Sequence, residues 1–148
     1  MIIKPNKAKA IMLAKRQLPE FVCDAVNLEG INFTLPEIMT LLDGVTVGGH
    51  KINDQQIVLN QADTWRTLFK LIEQNKFEIT VEKVCALHLI AAKEEALEWG
   101  KFRSGRITIS GTDYMLPELF DKMVDDASKI EDIYDQAIHF FLTMARCQ

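Results

Sequence analysis

A regular apolar pattern near the carboxyl end of the chain limits its fold more than any other feature. Apolar residues recur there at spacings of three and four, namely Ile130, Ile133, Ala137, Phe140 and Met144. This spacing predicts a helix with a continuous apolar face. Three further apolar residues widen that face beyond the need of a surface helix: Ile138, Leu142 and Ala145. We therefore expect a central, largely buried helix at about 131–147, with the fold built around it.

The same helix has no ending signal in the sequence. Helices commonly end at Gly or Asn, or shortly before Pro. None of these residue types occurs in Ala145-Arg146-Cys147-Gln148. A buried helix without an end predicts that the natural chain continues, and that C-terminal core helices are missing here.

The first third of the chain also carries helical signals. A helix is expected over about 7–28, with a restart near Pro19, because proline suits the first turn of a helix. Thr34 and Glu37 have the spacing of a capping box, which predicts a short helix that runs to about Leu42. The glycines within 43–50 then indicate an irregular loop or a small hairpin.

Three further helices are expected after this loop. A long one fits about 54–74, with Asn53 as its N-cap and an apolar stripe at helical spacing. Thr80 is expected to cap the next helix, which runs to about Leu97. Pro117 is expected to open another helix.

One segment has the pattern of a strand. Arg106–Ser110 alternates with a period of two and is rich in β-branched residues, which is typical of a strand. The turn residues at 110–113 predict a β-hairpin. Its edge could add an extended segment of a partner as an extra strand, or it could fold onto its own helices. The sequence pattern leaves both interpretations open.

Composition restricts the class of protein. The 148 residues suit one compact domain and carry 17 basic and 21 acidic residues, a net charge of −4. A chain that is acidic overall is a poor candidate for general nucleic-acid binding. No apolar run is long enough to cross a bilayer, and no secretory signal is recognisable. Three widely separated cysteines indicate no disulfide framework, so we expect a cytoplasmic protein without membrane or nucleic-acid partners.

Motifs for phosphate or metal binding are weak. The glycines of Gly44–Gly49 are followed by His50 and Lys51, whereas a P-loop needs Lys and then Ser or Thr. Cys85 and His88 could face one side of a helix, but a zinc site needs three or four ligands. We therefore expect no metal site, and we interpret His88 as a core histidine whose polar atoms are satisfied.

Several segments, in their order along the chain, resemble the Fic family. The resemblance covers nearly all of the chain from about residue 20. It is carried by 28–37, 43–51, 54–56 with Asn60, 96–117 and 137–146. It implies a mainly α, Fic-like helical bundle with one β-hairpin, in a single domain that spans 1–148.

The resemblance also implies an activity. Complete Fic proteins transfer AMP from ATP, with magnesium, to hydroxyl groups on proteins. Their motif His-x-Phe-x-x-Gly-Asn-x-Arg supplies a general base and a phosphate-binding turn at a helix N-terminus. The chain lacks this motif, and Gln148 falls at the place of its histidine. An amide cannot accept the proton as imidazole does, so we expect no catalytic residue here and no tight binding of ATP or magnesium.

A regulatory element is implied at the amino end. Fic proteins carry an inhibitory helix with the pattern Ser/Thr-x-x-x-Glu-Gly/Asn, whose glutamate pairs with the arginine of the catalytic motif. Glu29-Gly30 matches the end of this pattern, whereas Ala25 replaces its Ser or Thr. The resemblance thus assigns about 1–30 as an inhibitory-type helical segment, with Glu29 and Gly30 as the inhibitory residues.

The predicted hairpin matches the flap of the family. In Fic proteins this hairpin lies over the active site and aligns the target chain by main-chain pairing. The resemblance assigns this docking role to Gly105, Arg106, Ile107, Thr108, Ile109, Ser110 and Gly111. The sequence therefore favours the regulatory and target-docking portion of a protein AMP-transferase. The alternative is a non-catalytic interaction module that acts through its hairpin or an exposed helical surface, and a homo-oligomer or domain swap is expected because missing core helices would leave apolar surface bare.

Overall fold

The computed structural model describes residues 6–93, 95, 98–102, 111 and 120–147. Within these residues the chain is mainly helical, as expected, and has seven helices and no strand. The helices are α1 Lys7–Arg16, α2 Leu18–Leu28, α3 Leu35–Leu42, α4 Ile52–Glu73, α5 Val81–Ala91, α6 Phe120–Ser128 and α7 Ile133–Cys147. The β-hairpin expected around 106–110 lies outside the described residues.

Helix α4 is the centre of the described fold. It contacts α1, α2, α3 and α5, and its buried residues include Ile57, Val58, Ala62 and Phe69. Helix α4 buries these side chains against several neighbouring helices at once. Burial of each large apolar side chain stabilises the fold by about 1.5–3 kcal/mol. The prediction that the fold is built around the helix at 131–147 is therefore wrong, since α4 takes that place.

The hydrophobic core lies between α4 and helices α2 and α3. These two helices precede the loop at residues 43–50, which we call the glycine loop. Val22 and Val26 of α2, Ile38 of α3 and Val58 of α4 are almost fully inaccessible to solvent. Phe33, in the connection between α2 and α3, completes this cluster. The core thus fixes how α2 and α3 lie against α4, and with them the segment around Glu29.

Four of the helix starts predicted from side-chain chemistry lie within the described residues, and three of them are confirmed. Thr80 accepts a hydrogen bond from the N–H of Lys83 at 3.2 Å, and α2 restarts with Pro19 in its first turn. Glu37 accepts bonds from both the N–H and the hydroxyl of Thr34, at 2.8 and 2.7 Å, within a capping box. Asn53 is not the N-cap of α4, because that helix begins one residue earlier, with Lys51 in the cap position.

Three helices end in the same hydrogen-bonded motif. At the end of α2, Ile31 N–H donates to Val26 O at 3.0 Å and Gly30 N–H to Asn27 O at 3.1 Å. This is the Schellman arrangement, which needs a residue with positive φ after the cap. Gly30 has φ +78°, and α3 and α4 end in the same way at Gly44 (φ +85°) and Asn75 (φ +54°). Gly and Asn adopt a left-handed backbone more readily than other residues, which explains why they occur at these three positions.

Helix α5 was expected to reach about Leu97, but it ends at Ala91. Two hydrogen bonds hold the chain that follows it. Asn60 donates from Nδ2 to Lys93 O at 3.3 Å, and Gly100 N–H donates to His88 Nδ1 at 2.9 Å. Gly100 has φ +75°, which permits the return of the backbone toward α5. The helical pattern continues in the sequence, but these contacts favour a turn.

Helix α7 was expected to be buried, but it lies at the periphery of the described fold. It packs against α6, and its buried residue Thr143 and half-buried residues Gln136 and Phe140 lie on the same side of the helix. The opposite side exposes Tyr134 to 77% and Phe141 to 69%. Ile138 and Leu142 are also exposed there. The apolar spacing therefore identified the helix correctly but not its environment.

Candidate functional site

Glu29 and Gly30, the predicted inhibitory pair, lie at the end of α2. Glu29 is the C-cap residue, its side chain is exposed, and it makes no side-chain hydrogen bond or ion pair with another described residue. Gly30 supplies the left-handed position of the Schellman motif. The helix end thus presents a carboxylate to solvent from a backbone that is held by hydrogen bonds.

The connection after Gly30 is held to α2 by one amide side chain. Asn27 donates from Nδ2 to Phe33 O at 3.1 Å and accepts from Phe33 N–H at 3.2 Å. The Cys23 thiol donates to the same carbonyl at 3.6 Å. Burial, and secondly the charge of Asp24, raise the pKa of this thiol. Cys23 is therefore a structural residue in a protonated form, and residues 29–33 form a short, fixed connection.

A stacked histidine joins this connection to the glycine loop. The ring of His50 lies on the ring of Phe33, with centroids 3.8 Å apart and planes 15° from parallel. Its Nε2 lies 3.2 Å from Glu37 Oε1. Bonds from the N–H and hydroxyl of Thr34, and then His50, lower the pKa of Glu37 to about 2. Phe33, Thr34 and Glu37 thus tie the start of α3 to the end of the loop.

Gln55 holds the loop from the other side. Its side chain is 9% exposed. It accepts from Val47 N–H at 3.0 Å and donates to Val47 O at 3.1 Å and His50 O at 3.3 Å. These bonds satisfy backbone groups that a strand ladder would otherwise satisfy. Residues 43–50 therefore form an irregular loop and not the small hairpin that was the alternative expectation.

A second carboxylate interacts electrostatically with Glu29. Partial loss of solvation raises the pKa of Glu95, and the negative charge of Glu29 raises it further. The segment that carries Glu95 is held to α4, because Asn60 donates to Lys93 O at 3.3 Å and accepts a hydrogen bond from Gln56 at 3.0 Å. The two carboxylates therefore repel each other.

The stability of this region is expected to depend on acid pH through Glu37. Its folded-state pKa, about 2, lies below the ordinary value of 4.5. Its contribution is thus fully present above pH 4.5 and is lost as the pH falls toward 2. Urea unfolding at pH 5 and pH 3 should show a smaller loss of stability for Glu37→Gln than for the wild type. The control is Glu82→Gln, which removes a first-turn carboxylate of α5 that belongs to no capping box. Equal pH dependence of wild type and Glu37→Gln would contradict the low folded-state pKa of Glu37.

Most of the other predicted site residues cannot be placed. Residues 105–110 of the flap and Gln148 lie outside the described residues, and only Gly111, with φ +86°, is described. No group of three or more His, Cys, Asp or Glu in the described ranges could hold a metal ion. His88 accepts a hydrogen bond from Gly100 N–H through Nδ1, which agrees with a satisfied histidine, but its side chain is only half-buried and α5 has no buried residue, so the expected core position is not borne out. Sequence reasoning missed Asn27 and Gln55 as organisers of the site. Gln55 lies on the buried side of α4, which was a usable signal, whereas Asn27 is exposed on α2 and gave none.

Neither a family model, nor a characterised protein, nor a solved structure matches this chain. Among the described helices none has both the length and the apolar character needed to span a bilayer.

Proposed function

We propose that this chain is the regulatory and target-docking portion of a Fic-type protein AMP-transferase. In this proposal Glu29 restrains nucleotide binding and residues 105–111 align the target protein. The chain itself supplies no phosphate-binding turn and no general base, because it lacks the motif that carries both. It is therefore inactive by itself, and the ATP and magnesium of the reaction are bound only by a protein that has the motif.

The environment of Glu29 carries this proposal. An inhibitory glutamate must project from a fixed helix end and must be available to an incoming arginine. The Schellman bonds fix the end of α2, and Glu29 is exposed. Its described charged neighbour is Glu95. An arginine that approached Glu29 would form charge-assisted hydrogen bonds with it and offset its repulsion of Glu95.

The docking role of the flap is tested by a cross-linking scan. A photoreactive residue is placed in turn at each position from 106 to 110 in the full product of the natural gene, and target capture is quantified. An added strand contacts side chains of one face, so capture should alternate with a period of two. Uniform capture, or none at any of the five positions, would contradict a strand-pairing flap.

A non-catalytic interaction module is the second candidate, and the exposed face of α7 favours it. Ile138 and Phe141 are 58% and 69% exposed, and apolar patches of this kind often mark interaction sites. The same scan separates the two candidates. With Phe141→Asp in the background, capture from the flap should persist if the flap docks the target. Loss of capture would favour a partner bound on α7.

A further inference from the structure

Two grooves of similar size flank the connection between α4 and α5. The first has a volume of about 700 Å³ and lies between α1 and the end of α4. The charged residues that line it are Lys7, Lys15, Arg16 and Glu73. Lys15 pairs with Glu73 at 2.6 Å, and three cations against one carboxylate give a net charge of +2. We call this surface the basic groove.

The second groove begins two residues further along the same connection, at Phe77. Its volume is about 720 Å³, and residues 77–80 together with α6 and α7 line it. The ionised residues that line it are Glu78 and Asp125, which give −2. Beyond the lining, the exposed charged residues between Ser128 and Gln136 are Lys129, Glu131, Asp132 and Asp135, which together add a net charge of −2. We call this surface the acidic groove.

The two grooves belong to one end of the molecule. Lys7 Nζ donates to Asn75 Oδ1 at 2.5 Å, so the basic groove adjoins the end of α4. Phe77, two residues later, lines the acidic groove and is 37% exposed. One short connection therefore separates a surface of charge +2 from a surface of charge −2. A two-fold axis between two neighbouring grooves exchanges their positions, so it can bring the basic groove of one copy against the acidic groove of the other.

We infer that the chain self-associates through these grooves into a two-fold symmetric dimer. An isologous interface repeats each contact twice and closes on itself. The exposed Met12, Phe77 and Ile133 on or beside the grooves supply apolar area to the same interface. This inference is independent of AMP transfer, because it uses neither Glu29 nor the flap.

The mixture of charges selects a second copy over other partners. An anionic membrane would attract the basic groove but would repel the acidic groove beside it. A second copy carries both signs on neighbouring grooves, so it can satisfy both grooves at once. Salt weakens exposed charge pairs, so the dimer should dissociate as the salt concentration rises.

Complementary charge reversal tests the interface. One variant carries Lys7→Glu and Arg16→Glu, and the other carries Glu78→Lys and Asp125→Lys. In either homodimer, like charges would face each other, and self-association should weaken at least about tenfold. In a mixture of the two variants, opposite charges again face each other at both contacts. Sedimentation velocity at about 50 mM salt should show a heterodimer with an affinity within about threefold of the wild-type dimer.

Matched controls separate this result from a general charge effect. Lys51→Glu and Asp43→Lys make the same kinds of change at the other end of α4 and should leave the dimer intact, and circular dichroism checks that all variants fold. The inference is overturned if the mixture remains monomeric or if either double variant dimerises like the wild type. It is also overturned if the wild type is monomeric at low salt and instead binds phosphatidylserine vesicles through Lys7 and Arg16.

Discussion

Replacement of Ile38 by alanine is expected to lower the free energy of unfolding by about 3 kcal/mol. Ile38 lies on α3 and is completely inaccessible to solvent. It packs in the cluster that contains Val22 of α2 and Val58 of α4. Removal of three carbon atoms loses their transfer free energy and leaves a cavity among three helices that can close only in part.

Urea unfolding of wild type, Ile38→Ala and Met39→Ala measures this effect. Met39 is the next residue of the same helix but is 51% exposed, so its truncation should cost less than about 1 kcal/mol. The two variants differ in burial, while the helix propensity of the new residue is the same. Similar losses for both would contradict the placement of α3 against α2 and α4.

Under the proposed function, replacement of Glu29 by glycine is expected to raise AMP transfer roughly tenfold in a gene product that carries the catalytic motif, the size of a typical coupling between sites. Glu29 lies at the C-cap of α2, outside the regular helix. Glycine is therefore tolerated there, and the fold should remain intact. The substitution removes the carboxylate that we propose occupies the arginine of the catalytic motif.

The control for this prediction is Asp43→Gly, which removes another exposed carboxylate from a C-cap position that glycine follows, at the end of α3. Incorporation of labelled AMP into protein is measured with the wild type and both variants. An increase in Glu29→Gly alone supports the inhibitory role, whereas equal incorporation in all three proteins contradicts it.

Local chemistry explains which parts of the fold could be predicted from the sequence. The restart at Pro19, the capping box of Thr34 and Glu37, and the N-cap at Thr80 depend on residues only a few positions apart. Such signals act before any tertiary contact forms. They therefore located the starts of α2, α3 and α5 correctly.

Tertiary contacts explain where the predictions for helices failed. The apolar spacing of 130–144 has the period of a helix, and α7 is one. A period identifies a face but not the element that covers it, so the spacing could not show that Tyr134 and Phe141 are exposed. The end of α5 depends likewise on bonds from Asn60 and Gly100, which lie far from Ala91 in the sequence.

The candidate site likewise contains some features that the sequence predicted and others that it did not. The inhibitory role of Glu29 and Gly30 was predicted by resemblance alone and remains a prediction, whereas the Schellman bonds at Gly30 show a helix end there. The clamps made by Asn27 and Gln55 join side chains to backbone groups six and eight residues away. Propensity and period do not encode such bonds. The docking role of residues 105–111 remains a prediction.

The central claim, that this chain regulates a nucleotide-dependent Fic-type enzyme, is tested most directly by calorimetric titration of ATP with magnesium. The full natural gene product is compared with its Glu29→Gly variant. The account predicts that the variant binds ATP roughly tenfold more tightly than the wild type, because the arginine of the motif is released to the nucleotide. Absence of binding by both proteins, or equal affinity, would contradict the claim and favour a non-catalytic interaction module.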